Sequence, residues 1–161
     1  MDARIVIVDD HEIVREGIRG LISRSRPEWT ICGEATNGEQ AIEVCKTLKP
    51  DLIILDITMP VMSGLEAASR MTRMGLSCRL LMFTMHESER LDGEVRQAGA
   101  QGVVLKTRAA RDLIKAIDSL LGGGTFFESG TSQQNRPRSG PSSEIRSSLS
   151  RVATQHRCRS I

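Results

Sequence analysis

Five short aliphatic runs punctuate the first 105 residues, and each is followed by a segment whose apolar residues recur every three to four positions. The runs are Arg4–Val8, Thr30–Glu34, Leu52–Leu55, Arg79–Phe83 and Gly102–Leu105. They are too short for buried helices and rich in Ile, Val and Leu, so they read as strands buried on both faces. The segments between them read as helices. Glu12 to Arg24 carries Ile13, Gly17, Ile18, Leu21 and Ile22 at helical spacing. Asn37-Gly38-Glu39-Gln40 opens a second helix with an Asn cap and an acid in the first turn. Gly64–Met74 is a third, with Leu65, Ala68 and Met71 inward. Glu87–Ala98 is a fourth, weakened by Gly93, which costs about 1 kcal/mol in a helix interior. Ala109–Leu121 is the last, stopped by three glycines.

Strand and helix in strict alternation predict an α/β fold: a five-stranded parallel sheet, doubly wound, with helices on both faces. In such a sheet a ligand binds at the carboxyl ends of the strands, near the point where strand order reverses. The residues to examine are therefore those just after Val8, Leu55, Phe83 and Leu105. Four aromatic residues, Trp29, Phe83, Phe126 and Phe127, leave the core aliphatic and exclude a base-stacking platform for single-stranded nucleic acid. No apolar run approaches the roughly 20 residues of a membrane span. The N-terminus lacks a basic region ahead of an apolar one, which predicts no secretory signal and a cytoplasmic location.

Asp9 and Asp10 follow the first strand, Asp56 the third, Thr84 the fourth and Lys106 the fifth. Each has a plain reading by itself: an acid capping the next helix, a Thr in a turn, a solvated Lys. Together they place three carboxylates, a hydroxyl and an ammonium at one rim. Carboxylates so close repel unless a proton or cation intervenes. A set of oxygen donors selects a hard cation, and Mg²⁺ suits one or two carboxylates plus waters and a phosphate oxygen. Asp56 is then a plausible nucleophile toward phosphorus, with Lys106 and Thr84 available to the phosphoryl oxygens.

The stretches IVIVDDHEIVREGI, DLIILDITMPVMSGLEA, LLMFTMHE and AGAQGVVLK resemble the receiver domain of bacterial two-component response regulators of the NarL/LuxR type, over about residues 3–127. The resemblance implies a flavodoxin-like receiver that is a phosphoacceptor rather than an enzyme. It implies that Asp56 takes a phosphoryl group from a histidine kinase. Asp10, Asp56 and the backbone carbonyl of Thr58 would bind Mg²⁺, with Asp9 helping through water. Thr84 and Lys106 would hold the phosphoryl group. His86 stands where the family tunes hydrolysis, Val103 where it usually has a switching aromatic, and Thr107 where it often has Pro. His11, beside the acids, reads as a partly exposed helix-entry residue that could tune metal access. An aspartyl phosphatase of the haloacid-dehalogenase type would need a second acid where Thr58 stands. A flavodoxin-like cofactor binder would want a neutral phosphate loop where Asp9 and Asp10 stand.

Charge divides the chain. Residues 130–161 hold six Arg and one acid, a charge of +5, while residues 1–129 carry −3. Gly130 to Ser143 has no large apolar residue and reads as a flexible linker. The expected organisation is a receiver over 1–129 and a linker with a basic, disordered tail over 130–161. Ile145, Leu149 and Val152 suggest a helix over 143–154, weakly similar to the first helix of a LuxR-type helix-turn-helix. No recognition helix follows, so specific DNA binding is not expected, and output through a protein partner is. The alternative is a truncated LuxR-type transcriptional regulator. The four cysteines, Cys32, Cys45, Cys78 and Cys158, lack metal-ligand spacing and read as free thiols in a reducing compartment.

Overall fold

The computed structural model describes residues 2–127. The elements follow the chain as β1 (Arg4–Val8), α1 (Glu12–Ser25), β2 (Thr30–Ala35), α2 (Gly38–Leu48), β3 (Leu52–Asp56), α3 (Gly64–Arg73), β4 (Arg79–Thr84), α4 (Leu91–Gln97), β5 (Gly102–Leu105) and α5 (Ala109–Leu121). A single 3₁₀ turn, Lys106–Arg108, joins β5 to α5. The strands are all parallel in the order β2-β1-β3-β4-β5. The order reverses between β1 and β3, so the crevice of the doubly wound sheet opens between Val8 and Leu55.

Alternate strand residues feed two cores. Val6, Val8, Ile53, Leu55, Met82 and Val103 face the layer of α2, α3 and α4. Ile5, Ile7, Leu52, Ile54, Phe83 and Val104 face α1 and α5. Both faces of β3 are buried throughout, which is why Leu52–Leu55 reads as an unbroken apolar run rather than an alternating one. The α2 start is capped as its sequence predicts: Asn37 accepts from the Gln40 N–H at 2.9 Å, and Gln40 reaches back to the Thr36 N–H at 3.0 Å. Ser63 caps α3 in the same way.

Two expectations change. The fourth helix begins at Leu91, not Glu87. Its buried side is only Leu91 and Val95, and Glu87 to Arg90 offer no apolar residue to anchor an earlier turn. Ile13, at helical spacing with the core residues of α1, is 83% exposed, while Ile18 and Ile22 are buried. After α5 the chain returns to the sheet: Phe126 pairs with Gly102, accepting from the Val103 N–H at 2.9 Å and donating to Gln101 at 3.0 Å. Phe127 then enters the α2–α4 core, with Arg96 stacked 3.8 Å over its ring. The helix expected over 143–154 and the basic tail lie outside the described residues. Among the described residues no helix is long and apolar enough to cross a membrane.

Candidate functional site

β1 delivers Asp9 into the crevice at 1% exposure, with every polar atom engaged. Its N–H donates to Ala35 at 3.1 Å, and its carbonyl accepts from Arg15 Nη1 at 2.8 Å. Oδ1 accepts from the His11 N–H at 2.9 Å, turning the chain into α1, whose N-cap residue, His11, makes no side-chain capping bond. Oδ2 lies 2.6 Å from Lys106 Nζ. Lys106, 10% exposed at the end of β5, also lies 3.3 Å from Asp56 Oδ2. One ammonium thus bridges the ends of β1 and β3 from β5, reaching past β4.

Asp56 is 4% exposed. Burial, and after it the charge of Asp9, push its carboxyl above the usual carboxylate range. Lys106 and a backbone hydrogen bond at Thr58 oppose that rise. Asp9, Asp10, His11 and Asp56 each aim one donor atom into a space where all four atoms lie within 4.8 Å of one another. Lys106 offsets one of the three carboxylate charges, leaving an excess of about two. A hard divalent cation fits both that excess and the oxygen-rich donor set.

The structure brings together Asp9, Asp10, Asp56 and Lys106, which are up to 97 positions apart in sequence. Thr58 has an exposed side chain and meets Asp56 through its backbone. Thr84 ends β4, is 1% exposed, and its hydroxyl accepts from the His86 N–H at 3.2 Å. His86 itself is exposed. Val103 is buried on the α2–α4 face and lines a cavity of about 640 Å³ shared with Ser88, Leu91 and Leu105. His11 stands closer to the acids than a helix-entry residue needs to: its Nδ1 is 3.1 Å from both Asp9 Oδ1 and Asp10 Oδ1. Sequence reading missed Arg15, whose only signal is its place one helical turn after His11. Nor does the pattern that starts the third helix at Gly64 single that glycine out. A Cβ there would overlap the carbonyl oxygen of Asp56.

Residues 5–118 match the response regulator receiver domain family, and the chain belongs to it. A receiver is a phosphoacceptor of two-component signalling rather than a classical enzyme, it implies a cognate histidine kinase, and its acidic cluster is of the kind that holds Mg²⁺. Among relatives, the chain is 40% identical over 121 residues to the nitrate/nitrite response regulator NarL of Escherichia coli K12, spanning 75% of this chain and 56% of that protein. It is 37% identical over 121 residues to the transcriptional regulatory protein LnrK of Bacillus subtilis, spanning 75% of this chain and 54% of that one. It superposes with a TM-score of 0.74 and 36% identity on a LuxR-family two-component response regulator from Aurantimonas sp. SI85-9A1, covering 78% of this chain and 89% of the other. The chain spans a little over half the length of the curated relatives it matches.

Proposed function

We propose that Asp56 accepts a phosphoryl group from the phosphohistidine of a histidine kinase, and that a cytoplasmic protein partner reads the change. The observation that carries this is the setting of Asp56: a carboxylate 4% exposed at a strand end, beside Asp9 and Asp10 and 3.3 Å from an ammonium. In the transfer an Asp56 carboxylate oxygen forms the new O–P bond as the N–P bond to the imidazole breaks, and the imidazole leaves. Lys106 already touches an Asp56 oxygen, so its charge would meet the phosphoryl oxygens without rearranging. The Thr84 hydroxyl accepts from His86 and keeps its own proton to donate to a phosphoryl oxygen. Asp10, Asp56 and the Thr58 carbonyl would hold Mg²⁺, with Asp9 acting through a water. When bound, the ion neutralises charge on the carboxylates and on the incoming phosphoryl group.

The same reading assigns residues 1–129 to the receiver and 130–161 to a linker and basic tail. Val103 supplies no ring to follow Thr84, so the segment from Met85 to Arg90, exposed and beside the cavity at Val103, carries the change. His86 modulates attack of water on the phosphorylated Asp56, and His86→Ala changes the lifetime of the phosphate.

The test is incubation with Mg²⁺ and acetyl phosphate, read by intact mass. A gain of about 80 Da is expected in the natural chain and not in Asp56→Ala. A gain in both overturns the assignment of Asp56. A second reading, a LuxR-type regulator that acts on DNA, is favoured by the longer relatives, one of them a transcriptional regulatory protein. A shift of promoter DNA by this chain at physiological salt would establish it.

A further inference from the structure

Away from the acidic crevice, two thiols face each other across the α2 side of the sheet. Cys45 lies on the inner face of α2, 3% exposed, within the core it shares with Ile42, Ala67 and Met71. Cys78 lies in the turn just ahead of β4 and is partly exposed. Their sulfurs are 4.0 Å apart, although 33 residues separate them in sequence. β4 runs from Arg79 beside Cys78 to Thr84 at the crevice, a rise of roughly 20 Å, so this pair is remote from Asp56.

We propose that Cys45 and Cys78 form a peroxide-sensitive modification site that closes to an intramolecular disulfide. The two side chains have unequal parts. Cys78 is the one a small oxidant reaches, and Cys45 is the one positioned to resolve it. Their contact, reinforced by burial, holds Cys45 as a thiol, and the same contact draws the Cys78 thiol down toward the thiolate. In the first step the Cys78 sulfur attacks hydrogen peroxide. The O–O bond breaks, Cys78 becomes a sulfenic acid, and the departing hydroxide takes a proton to become water. In the second, Cys45 loses its proton and its sulfur attacks Cys78 Sγ; the S–O bond breaks and a second water leaves. Two thiols and one peroxide give one disulfide and two waters. The sulfurs need to close from 4.0 Å to about 2.05 Å, a displacement within reach of side-chain rotation.

Cys32 packs against the same core and Cys158 lies in the tail, so the pairing must be mapped rather than assumed. The full chain, reduced and then given one equivalent of hydrogen peroxide, is expected to lose about 2 Da, with the loss reversed by dithiothreitol. Trypsin leaves Cys32 and Cys45 on one peptide, but a glutamate-specific protease cuts between them after Glu34, Glu39 and Glu43. The linked peptides should contain Cys45 and Cys78 alone. Cys45→Ser should stop at the sulfenic acid, trapped on Cys78 by dimedone, and Cys78→Ser should abolish the mass loss. A bond to Cys32 or Cys158 instead, dimedone labelling of Cys78 in the natural chain with no bond formed, or no oxidation of Cys78 at all would each overturn the proposal.

Discussion

Gly64 packs so tightly on Asp56 that its missing side chain is part of the site: a Cβ at Gly64 would collide with the Asp56 carbonyl oxygen. The Gly64 N–H meanwhile donates to Ile57 at 2.8 Å, holding the loop after β3 closed over its own start. Backbone, not a flexible side chain, stands in the way, so no rotamer change relieves an added methyl. Gly64→Ala should destabilise the fold by about 3 kcal/mol. Urea unfolding would show it as a lower midpoint at unchanged slope.

Lys106 touches two of the three carboxylates through its ammonium, those of Asp9 and Asp56. Replacing it with Met removes its charge while keeping the length of its stem. The crevice then becomes more negative, and divalent cations should bind about 3- to 10-fold more tightly. Phosphoryl uptake from acetyl phosphate should fall by at least about 10-fold, because the developing charge loses its ammonium. Calorimetric titration with Mg²⁺ and a time course by mass separate the two effects. Weaker cation binding by Lys106→Met would contradict the electrostatic account.

Asp56 has a folded-state pKa above its ordinary value, because burial and Asp9 disfavour its charge. A raised carboxyl binds its proton more tightly when folded. Its contribution is therefore favourable below the ordinary carboxylate pKa and is lost as pH rises through the folded value. Asp56→Asn should accordingly match the natural chain in acid and become the more stable of the two toward neutral pH. Mg²⁺ should raise the natural chain's stability by about 1.4 kcal/mol at ten times its dissociation constant, and should do less for Asp56→Asn. Thermal melts between pH 4 and 8, with and without Mg²⁺, check both.

Val61 sits in the loop after β3 with φ of 69°, a left-handed conformation that its branched side chain resists. It is 74% exposed, so packing gives nothing back. Val61→Asn or Val61→Gly should stabilise the protein by about 0.5–1 kcal/mol. No gain in chemical denaturation would mean that the loop has no strain to release.

The rim residues were legible because each lies at the end of a run whose apolar character announces a buried strand. Once Val8, Leu55 and Leu105 are read as strand ends, Asp9, Asp56 and Lys106 fall on one side of the sheet by topology alone. Features set by tertiary fit were not. Ile13 has the spacing of a core residue, yet among the described residues it stands exposed. The β5 edge is covered by Phe126, which follows three glycines and belongs to no periodic pattern. Gly64 reads like any turn glycine until the Asp56 carbonyl is seen against it. Cys45 and Cys78 have no motif in common, and only the fold makes them neighbours.

β5 is four residues long, roughly 13 Å, with Lys106 just past one end and the Phe126 pairing at the other. One short strand therefore holds both the ammonium of the acidic crevice and the last backbone pairing among the described residues, so the position of Lys106 and the anchoring of Phe126 rest on the same few ladder hydrogen bonds.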